Sequence, residues 1–477
     1  MSFLFDRASS HFESNPSKIF FQSLSNSLNG EDCLNQINKI SNFLKKKKVT
    51  SLALKSKNNL TWPLVYLAAD LVCNKIYIFN DSISSTKEKE ILNENFINCL
   101  YKNNSKNDEI NFNCFEINHF SKKKFETSQK DFERKDILFT SGTTGNSKGV
   151  VINEKTFSHV SKQLIKKLNQ KRSDLELLSM PFNHSFGLAR LRSAFICGSS
   201  SLITDGLKDF PEIYNFSLKK KLTGLSLVPS AITIIKLMLK NKANIFAEHV
   251  NYFEIGSSFL DDELDAWLKS FFKNANIFHH YGMTEASRSF LRPRGINDKN
   301  GYPNNWIGEP IDGCSFKIDF FDDSKTTGEL LVKGKNVFSG YLGSKNNFLD
   351  QGWYRTKDIC SYKEKKVFLI GRLDNQINVG GEKVQAEQIE KLLFDIKEIE
   401  DITCFPVKDK IFGNKVACLI KLKKLSYENK LELIVEKLFS KYPSYMKPKL
   451  FFTLKNLPTT NNGKKIREEK ALLKLKK

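Results

Sequence analysis

The chain has 477 residues, 40% of them hydrophobic and 12% aromatic, which is enough apolar material for the packed cores of two or three domains. Lys and Arg number 75 against 53 Asp and Glu, so the formal net charge is +22. The excess is mostly Lys spread along the chain without a recognised nucleic-acid module, and no nucleic-acid partner is expected. A basic surface of this kind attracts small anionic substrates.

Targeting and cross-linking signals are weak in the sequence. The N-terminal stretch MSFLFDRASS meets a charge at Asp6 where a secretory leader would be apolar. No run of about 18 apolar residues predicts a membrane span. The nine cysteines are scattered singly, which argues against a disulfide framework and most structural zinc sites. We expect a soluble, cytoplasmic protein that is a monomer or a homodimer.

The first 135 residues alternate helical and strand-like patterns, which predicts an α/β fold with a parallel, doubly wound sheet. The predicted elements are helices at Leu34–Leu44 and Trp62–Val72 and strands at Thr50–Leu54 and Ile76–Phe79. The polar segment Lys102–Lys135 is expected to be an irregular connection.

Residues 139–150, FTSGTTGNSKGV, form a phosphate-binding pattern. Strands predicted at Ile137–Phe139 and Gly149–Ile152 make it a turn between two strands. Glycines let successive backbone N–H groups converge on an anion, hydroxyls donate to phosphate oxygens, and a lysine adds positive charge. The residues concerned are Thr140, Ser141, Gly142, Thr143, Thr144, Gly145 and Lys148. The spacing is not that of P-loop NTPases, because Ser147 precedes Lys148 and Gly149 follows it.

The alternation continues to about residue 320, after which the pattern changes twice. GELLVKG at 328–334 and KVFLI at 366–370 predict antiparallel strands of a small β-rich subdomain. Beyond Arg372 a compact α+β unit is predicted, with helices at 386–397 and 428–441 and strands at 401–407, 415–423 and 449–454. We therefore predict an N-terminal domain at 1–371 and a small mobile C-terminal domain at 372–477.

Five further segments give the phosphate-binding pattern a context. They read YGMTE at 281–285, YRTKD at 354–358, GRLD at 371–374, QINVGGEKVQAEQIE at 376–390 and PTTNNGKKIR at 458–467. In this order and spacing they resemble the motifs of the adenylate-forming superfamily, which includes acyl-CoA synthetases, luciferases and non-ribosomal adenylation domains. The resemblance covers nearly the whole chain.

The resemblance implies a ligase with a two-step reaction. A carboxylate attacks the α-phosphorus of ATP to give an acyl-adenylate and pyrophosphate, and the thiol of CoA then displaces AMP to give a thioester. An alternative acceptor is the phosphopantetheine of a carrier protein. The implied cofactors are ATP, Mg²⁺ and CoA, and charge neutralisation and alignment carry the chemistry. The identity and length of the acid stay open.

The resemblance also assigns the residues nearest to the reacting phosphate. The loop 140–148 binds the β- and γ-phosphates, Thr284 donates to the α-phosphate and Glu285 binds Mg²⁺. The alternative for Thr284 and Glu285 is a helix N-cap with a first-turn acid. Lys464 is the catalytic lysine that stabilises charge between the carboxylate and the α-phosphate, and Lys465 is a rival.

The nucleoside is expected to lie between two groups of residues. Gly256, Ser257 and Ser258 resemble the stretch that lines the adenine, and Tyr281 and Gly282 complete its site. Asp358 accepts both ribose hydroxyls with help from Arg372, or is a surface turn acid. Lys357 stands where the family usually has Gly, which puts the local turn in doubt.

The remaining assignments concern motion and the other substrates. Asp374 falls at the hinge about which the C-terminal domain rotates between the two half-reactions. Gly380 and Gly381 form the loop that then faces CoA. His184, in PFNHSFG at 181–187, belongs to the acyl pocket by the resemblance, with a packed core histidine as the alternative.

Overall fold

The structure is a computed structural model that divides into two compact units. It describes residues 3–80, 83–95, 97, 99–103, 112–114, 135–140, 148–239, 243–257, 260, 262–295, 298, 301–344, 349–379, 382–409, 413–459 and 465–467. Unit 1 comprises residues 1–316 and 332–354, and unit 2 comprises residues 317–331 and 355–477. The predicted boundary at residue 371 separates two domains that are expected to rotate relative to each other. A division into compact units does not test such a rotation, so this boundary stays a prediction.

Helices and strands alternate through most of the chain, as predicted. The helices are α1 (Phe3–Ser14), α2 (Gly30–Lys46), α3 (Thr61–Val72), α4 (Ser85–Glu94), α5 (Glu154–Leu168), α6 (Ser185–Cys197), α7 (Phe210–Lys219), α8 (Pro229–Leu239), α9 (Ala243–Ala247), α10 (Asp262–Phe271), α11 (Ala386–Phe394) and α12 (Glu428–Phe439). The first strands are β1 (Ile19–Gln22), β2 (Ser27–Asn29), β3 (Ser51–Ser56), β4 (Lys75–Ile78), β5 (Cys99–Asn103), β6 (Phe112–Cys114), β7 (Lys135–Thr140), β8 (Lys148–Asn153), β9 (Leu175–Leu178), β10 (Ser200–Ile203), β11 (Gly224–Leu227), β12 (Tyr252–Ile255) and β13 (Asn276–Met283). The others are β14 (Ala286–Arg294), β15 (Glu309–Pro310), β16 (Cys314–Phe320), β17 (Thr327–Gly334), β18 (Gly340–Tyr341), β19 (Leu349–Asp350), β20 (Trp353–Lys363), β21 (Lys366–Arg372), β22 (Gln376–Val379), β23 (Glu382–Gln385), β24 (Ile399–Asp409), β25 (Gly413–Leu422) and β26 (Leu450–Thr453).

Unit 1 contains two large sheets. The nine-stranded sheet has the order β15-β14-β13-β12-β11-β9-β10-β1-β2, parallel from β13 to β1 and antiparallel at both edges. The seven-stranded sheet has the order β18-β8-β7-β4-β3-β5-β6, and its centre from β7 to β5 is parallel. Parallel strands joined by crossover helices are the doubly wound arrangement that the alternating pattern predicts.

Local sequence explains the helices that cover these sheets. Helix α2 begins with a capping box in which the side chains of Asn29 and Asp32 each bond the other's backbone N–H. Its buried apolar residues recur at helical spacing, for example Ile37, Ile40 and Leu44. Helix α3 is apolar on nearly every face and lies almost wholly buried.

The β-rich part and the C-terminal part also match the predicted classes. Strands β16, β17, β20, β19 and β21 form a five-stranded sheet. In unit 2, β24, β25 and β26 form a three-stranded sheet, and α11 and α12 pack residues such as Ile389 and Val435 into its core. Helix α11 ends at Phe394, three residues before the predicted end at 397.

Two predictions are only partly accessible to the structure. The predicted irregular segment Lys102–Lys135 lies mostly outside the described residues, which include the short strand β6 at its centre. Among the described residues, no helix combines the length and the apolar character that crossing a membrane requires. The α/β fold class with its α+β C-terminal part is confirmed, and the mobility of that part stays a prediction.

Candidate functional site

Thr284 and Glu285 form the two-residue connection of a β-hairpin. Strands β13 and β14 are antiparallel and pair Met283 with Ala286, so the two side chains lie at the tip, half-buried. The helix N-cap alternative is therefore wrong. The register shifts at Gly282, where an added Cβ would lie 2.4 Å from the backbone nitrogen of Arg288. Close backbone approach thus explains this glycine without reference to adenine.

A tyrosine that the sequence interpretation missed joins this hairpin to the end of the phosphate loop. The Tyr341 hydroxyl donates to Glu285 Oε1 at 2.9 Å, and Lys148 Nζ lies 5.3 Å from the centroid of the same ring. The backbone N–H of Phe338 donates to the Glu285 carbonyl at 2.8 Å, which fixes the tip from the same segment. Within unit 1, Lys148 therefore contacts the ring of Tyr341 and Glu285 contacts its hydroxyl.

Burial and the negative charge of Glu285 raise the pKa of Tyr341 to about 12, so the hydroxyl stays protonated and donates at neutral pH. The only sequence signal for this residue is an aromatic side chain after a glycine. That pattern is too common to single it out.

Beneath the predicted adenine stretch lies a fully buried carboxylate. Glu254, on β12, has its Oε1 atom 2.6 Å from His280 Nδ1 and 3.1 Å from Arg288 Nε. An added Cβ at Gly256 would lie 2.0 Å from the His280 ring, so the close approach of this ring requires the glycine. Ser257 follows exposed, with φ at +77°.

The same carboxylate connects the strands to the start of α6. Arg288 donates to the carbonyls of Ser185 and Phe186 at 3.0 Å each, and its guanidinium stacks over the Phe186 ring. Arg190, one helical turn further, lies 3.6 Å from Glu254 Oε2 and pairs with Glu176 at 2.7 Å. We call Glu254, His280, Arg288, Arg190 and Glu176 the buried charge cluster.

The cluster is balanced in charge, with two carboxylates facing two guanidinium groups. Burial alone would raise the pKa of Glu254, but Arg288 and His280 hold it well below its ordinary value. Burial, followed by the charge of Arg288, lowers the pKa of His280, so the imidazole is neutral at pH 7. The cluster therefore fixes the relative positions of β9, β12, β13, β14 and α6 with paired, desolvated charges.

His184 occupies the N-cap position of α6 and is half-buried. Its Nε2 atom lies 3.4 Å from the side-chain nitrogen of Asn80, which follows β4 of the other sheet. The next residue, Ser185, lines a small cavity together with Thr284, Ser287 and Arg192. The cavity has room for roughly one water molecule. The start of α6 and the hairpin tip are thus neighbours, as the assignments of His184 and Thr284 require.

In unit 2, Arg372 bridges two predicted residues. It lies directly opposite Asp358 on the antiparallel strands β20 and β21, and its Nη1 donates to Asp358 Oδ1 at 2.7 Å. Its Nε and Nη2 donate to the two carboxylate oxygens of Asp374 at 2.8 and 3.1 Å. Burial would raise the pKa of Asp374, but the bonds and charge of Arg372 hold it below its ordinary value.

The turn expected at Lys357 is absent, because Lys357 and Asp358 both lie within strand β20, and the surface-turn alternative for Asp358 is therefore wrong. Lys357 is exposed with φ at +62°, a left-handed conformation that glycine adopts without cost. Its backbone N–H donates to Glu329 Oε1 at 3.0 Å. A lysine therefore occupies a glycine-type conformation, and the neighbouring Asp358 is buried.

Of the two adjacent lysines of the C-terminal motif, Lys465 lies within the described part of the chain. Lys465 Nζ donates to Asp401 Oδ1 at 2.6 Å and to the Ile402 carbonyl, so its ammonium is engaged within unit 2. Several predicted residues lie outside the described part of the chain: Ser141, Gly142, Thr143, Thr144, Gly145, Ser258, Gly380, Gly381 and Lys464. Thr140 ends β7, and its side chain is also outside that part.

A magnesium site in this protein would rely on substrate oxygens. Within the described residues, no group of three or more His, Cys, Asp or Glu side chains could hold a metal ion. Mg²⁺ is commonly bound by one or two carboxylates together with substrate phosphates. A single half-buried carboxylate such as Glu285, which accepts a hydrogen bond from Tyr341, fits that donor set.

Several known proteins are similar to this chain in sequence. The chain is 26% identical to acyl-CoA synthetase ALT10 of Alternaria alternata over 61% of this chain and 56% of that protein. It is 25% identical to 2-succinylbenzoate–CoA ligase of Haemophilus influenzae over 88% of this chain and 87% of the relative. With D-alanine–D-alanyl carrier protein ligase of Staphylococcus haemolyticus the identity is 28% over 70% of each protein.

A solved structure shows the same fold. O-succinylbenzoate coenzyme A synthetase from Bacillus subtilis, in complex with ATP and magnesium ion, superposes with a TM-score of 0.80 at 18% identity, covering 97% of this chain and 98% of that one. The family model described as AMP-binding enzyme matches residues 8–342, more than half of the chain. The chain therefore belongs to the AMP-binding enzyme family, which confirms the resemblance to adenylate-forming enzymes.

Proposed function

We propose that this protein is an AMP-forming acid–thiol ligase that activates a carboxylic acid with ATP and transfers the acyl group to CoA. In the first step a carboxylate oxygen bonds to the α-phosphorus and the bond to pyrophosphate breaks. In the second step a thiol sulfur bonds to the acyl carbon and AMP leaves. A cytoplasmic location and a monomeric or homodimeric state remain predictions from the sequence.

The observation that carries the proposal is the contact series Lys148–Tyr341–Glu285 in unit 1. ATP is a polyanion, and a weak carboxylate nucleophile reaches its α-phosphorus only when the phosphate charges are neutralised and aligned. Lys148 supplies a cation beside the loop that binds the departing phosphates. Glu285 supplies the carboxylate for Mg²⁺, and Tyr341 holds that carboxylate in place by a charge-assisted hydrogen bond.

The other roles follow the assignments made from the sequence. Thr284, at the same hairpin tip as Glu285, donates to the α-phosphate, and Lys464 stabilises the charge that develops there. Asp358 binds the ribose hydroxyls, oriented by Arg372. His184, at the start of α6, borders the acid. Asp374 is the hinge and Gly380 and Gly381 face CoA after rotation.

A carrier-protein acceptor is the second candidate. The similarity to a D-alanine–D-alanyl carrier protein ligase supports it, since that relative covers 70% of this chain. Both candidates share the adenylation step and differ only in the thiol. Thioester formation with free CoA, compared with a phosphopantetheinylated carrier protein, separates them.

The test is acid-dependent exchange of labelled pyrophosphate into ATP, across short, branched, long-chain and aryl carboxylic acids. We expect exchange with at least one acid class. Lys464→Ala should abolish it while largely preserving thioester formation from supplied acyl-adenylate. Lys455→Ala, which changes an exposed lysine of the same unit, is the matched control. No exchange with any acid would refute the function, and equal loss of both half-reactions would refute the role of Lys464.

A further inference from the structure

The residues that flank Lys464 on its two sides are hydrogen-bonded to each other. The backbone N–H of Ile466 donates to the Pro458 carbonyl at 3.1 Å, and Thr459 pairs with Lys465 in an antiparallel bridge. The intervening residues 460–464 are therefore bounded by two chain ends that are bonded to each other. Since Lys464 is joined to Lys465 by one peptide bond, whatever fixes Lys465 limits the reach of the Lys464 ammonium.

The first anchor is Lys465 itself. Its ammonium donates to the Asp401 carboxylate at 2.6 Å and to the Ile402 carbonyl, both at the start of β24. The Lys465 side chain is 31% exposed. This contact alone is a surface ion pair with an additional hydrogen bond. Such a pair contributes little to stability, but it fixes the direction of the Lys465 side chain.

The second anchor is more deeply buried and more specific. Both terminal nitrogens of Arg467 donate to the two carboxylate oxygens of Glu390 on α11, with Nη2 to Oε2 at 2.8 Å. Arg467 Nη1 also donates to the Cys404 carbonyl at 3.0 Å, while Glu390 Oε1 accepts from the Cys404 N–H at 2.6 Å. A guanidinium–carboxylate fork fixes orientation as well as distance, which an ammonium in the same place would not.

The same face of α11 also contacts the predicted hinge. Glu387, three residues before Glu390, has its Oε1 atom 3.7 Å from Arg467 Nη2 and accepts a hydrogen bond from the Asn375 side chain. Asn375 directly follows Asp374 in the short turn Leu373–Asn375. One helix therefore holds both the residue next to the hinge and the end of the segment that carries Lys464.

We propose that Arg467 and Glu390 are positioning residues that hold Lys464 for the adenylation half-reaction, by fixing the end of segment 460–464 to α11. The inference rests on the proposed function, in which the Lys464 ammonium stabilises the α-phosphate. A misplacement of about 1 Å in an aligned catalytic group can cost about 100-fold in rate. The thioester-forming step does not use Lys464 and does not depend on these anchors.

The test compares the two half-reactions in full-length variants. Arg467→Gln and Glu390→Gln each remove the fork but keep side chains of similar size. We expect the turnover number of pyrophosphate exchange to fall about 10- to 100-fold, with the KM for ATP changed less than about threefold. Thioester formation from CoA and the acyl-adenylate of the best acid should stay within about threefold. Arg467→Lys, which keeps the charge, should recover only part of the rate.

The control is Glu436→Gln, which breaks the ion pair with Lys447 elsewhere in unit 2 and should leave both half-reactions unchanged. Equal losses in both half-reactions, or full adenylation in the folded fork variants, would overturn the positioning role. If Arg467→Gln does not fold, Arg467→Lys and Glu390→Gln decide. Exchange that is lost in Lys464→Ala but kept in the fork variants refutes the positioning alone. Wild-type protein that exchanges with no acid refutes the proposed function and this inference with it.

Discussion

The predicted functional residues of the two units are supported by charged side chains in different ways. In unit 1, Glu254, Arg288 and His280 are buried and pair with each other. In unit 2, Arg372 and Arg467 make comparable bonds at partly exposed positions. Water can reach the guanidinium groups of Arg372 and Arg467, whose side chains are 38% and 17% exposed, when a partner is lost. A lost partner in unit 1 leaves a buried charge without compensation.

The charged groups of the two units are therefore expected to act differently, in unit 1 on the stability of the fold and in unit 2 on the position of functional residues. The buried charge cluster ties four strands, β9, β12, β13 and β14, to α6, so its bonds contribute to the stability of unit 1 as a whole. The pairs in unit 2 each fix a short segment, near Asp374 or near Lys464. We therefore expect substitutions in the cluster to change unfolding, and substitutions of the pairs in unit 2 to change rates.

The largest effect is expected for Glu254→Gln. Removing one carboxylate leaves Arg288 and Arg190 with a single buried counter-charge, and breaking such a pair costs about 3–5 kcal/mol of unfolding free energy. All four tryptophans, Trp62, Trp267, Trp306 and Trp353, belong to unit 1. Tryptophan fluorescence in urea therefore measures the change in this unit.

The matched control is Glu436→Gln in unit 2, which breaks an exposed pair of the kind that contributes little to stability. It should not move the tryptophan transition. A Glu254→Gln variant that unfolds within about 1 kcal/mol of the unaltered protein would contradict the comparison, since the cluster would then behave like a surface pair.

A smaller effect is expected from pH through His280. Its pKa is lowered by burial and then by Arg288, while Glu254 raises it. Arg190 lowers it further, and the Phe186 ring packs edge-on against it. Below pH 6.5 the unfolded chain therefore binds a proton that the folded chain does not. The stability of unit 1 should fall as the pH drops from 7 to 5, by at most about 1.4 kcal/mol per pH unit from this residue.

His280→Gln should flatten this slope in tryptophan-monitored urea titrations at pH 5, 6 and 7, even if it also lowers stability at every pH. His11 has a pKa lowered by burial as well, and His11→Gln identifies its share of the slope. An unchanged slope in His280→Gln would show that the imidazole takes up a proton in the folded cluster as readily as in the unfolded chain.

What the sequence predicts well is local. Strand patterns on both sides of residues 141–147 predict β7 and β8, and these two strands pair in antiparallel orientation. The strand predicted at Ile76–Phe79 likewise corresponds to β4. These segments carry their own periodicity and turn residues, so no distant part of the chain is needed to interpret them.

What the sequence does not predict depends on distant parts of the chain. Tyr341 lies 56 positions from Glu285, and Arg288 reaches Ser185 across 103 positions. An isolated tyrosine or arginine has no pattern that names its partner. The hairpin at Thr284 could not be distinguished from a helix start because YGMTE follows a strand in either case, and only the pairing of β13 with β14 decides.

The smallest effect is expected at Lys357, where backbone conformation rather than charge is tested. With φ at +62°, an L-residue is disfavoured by about 1 kcal/mol relative to glycine. Lys357→Gly should therefore raise the stability of unit 2 by up to about 1 kcal/mol, and Lys357→Val should lower it by about 1–3 kcal/mol. Far-UV circular dichroism follows the change, with tryptophan fluorescence as the reference for unit 1. Lys325, exposed with φ at +52° elsewhere in unit 2, provides the matched variant Lys325→Gly. Suppose that Lys325→Gly raises the stability of unit 2 and Lys357→Gly does not. The Lys357 side chain, next to Asp358, would then itself stabilise the folded state, and a charge near the predicted ribose site would contribute to the stability of unit 2.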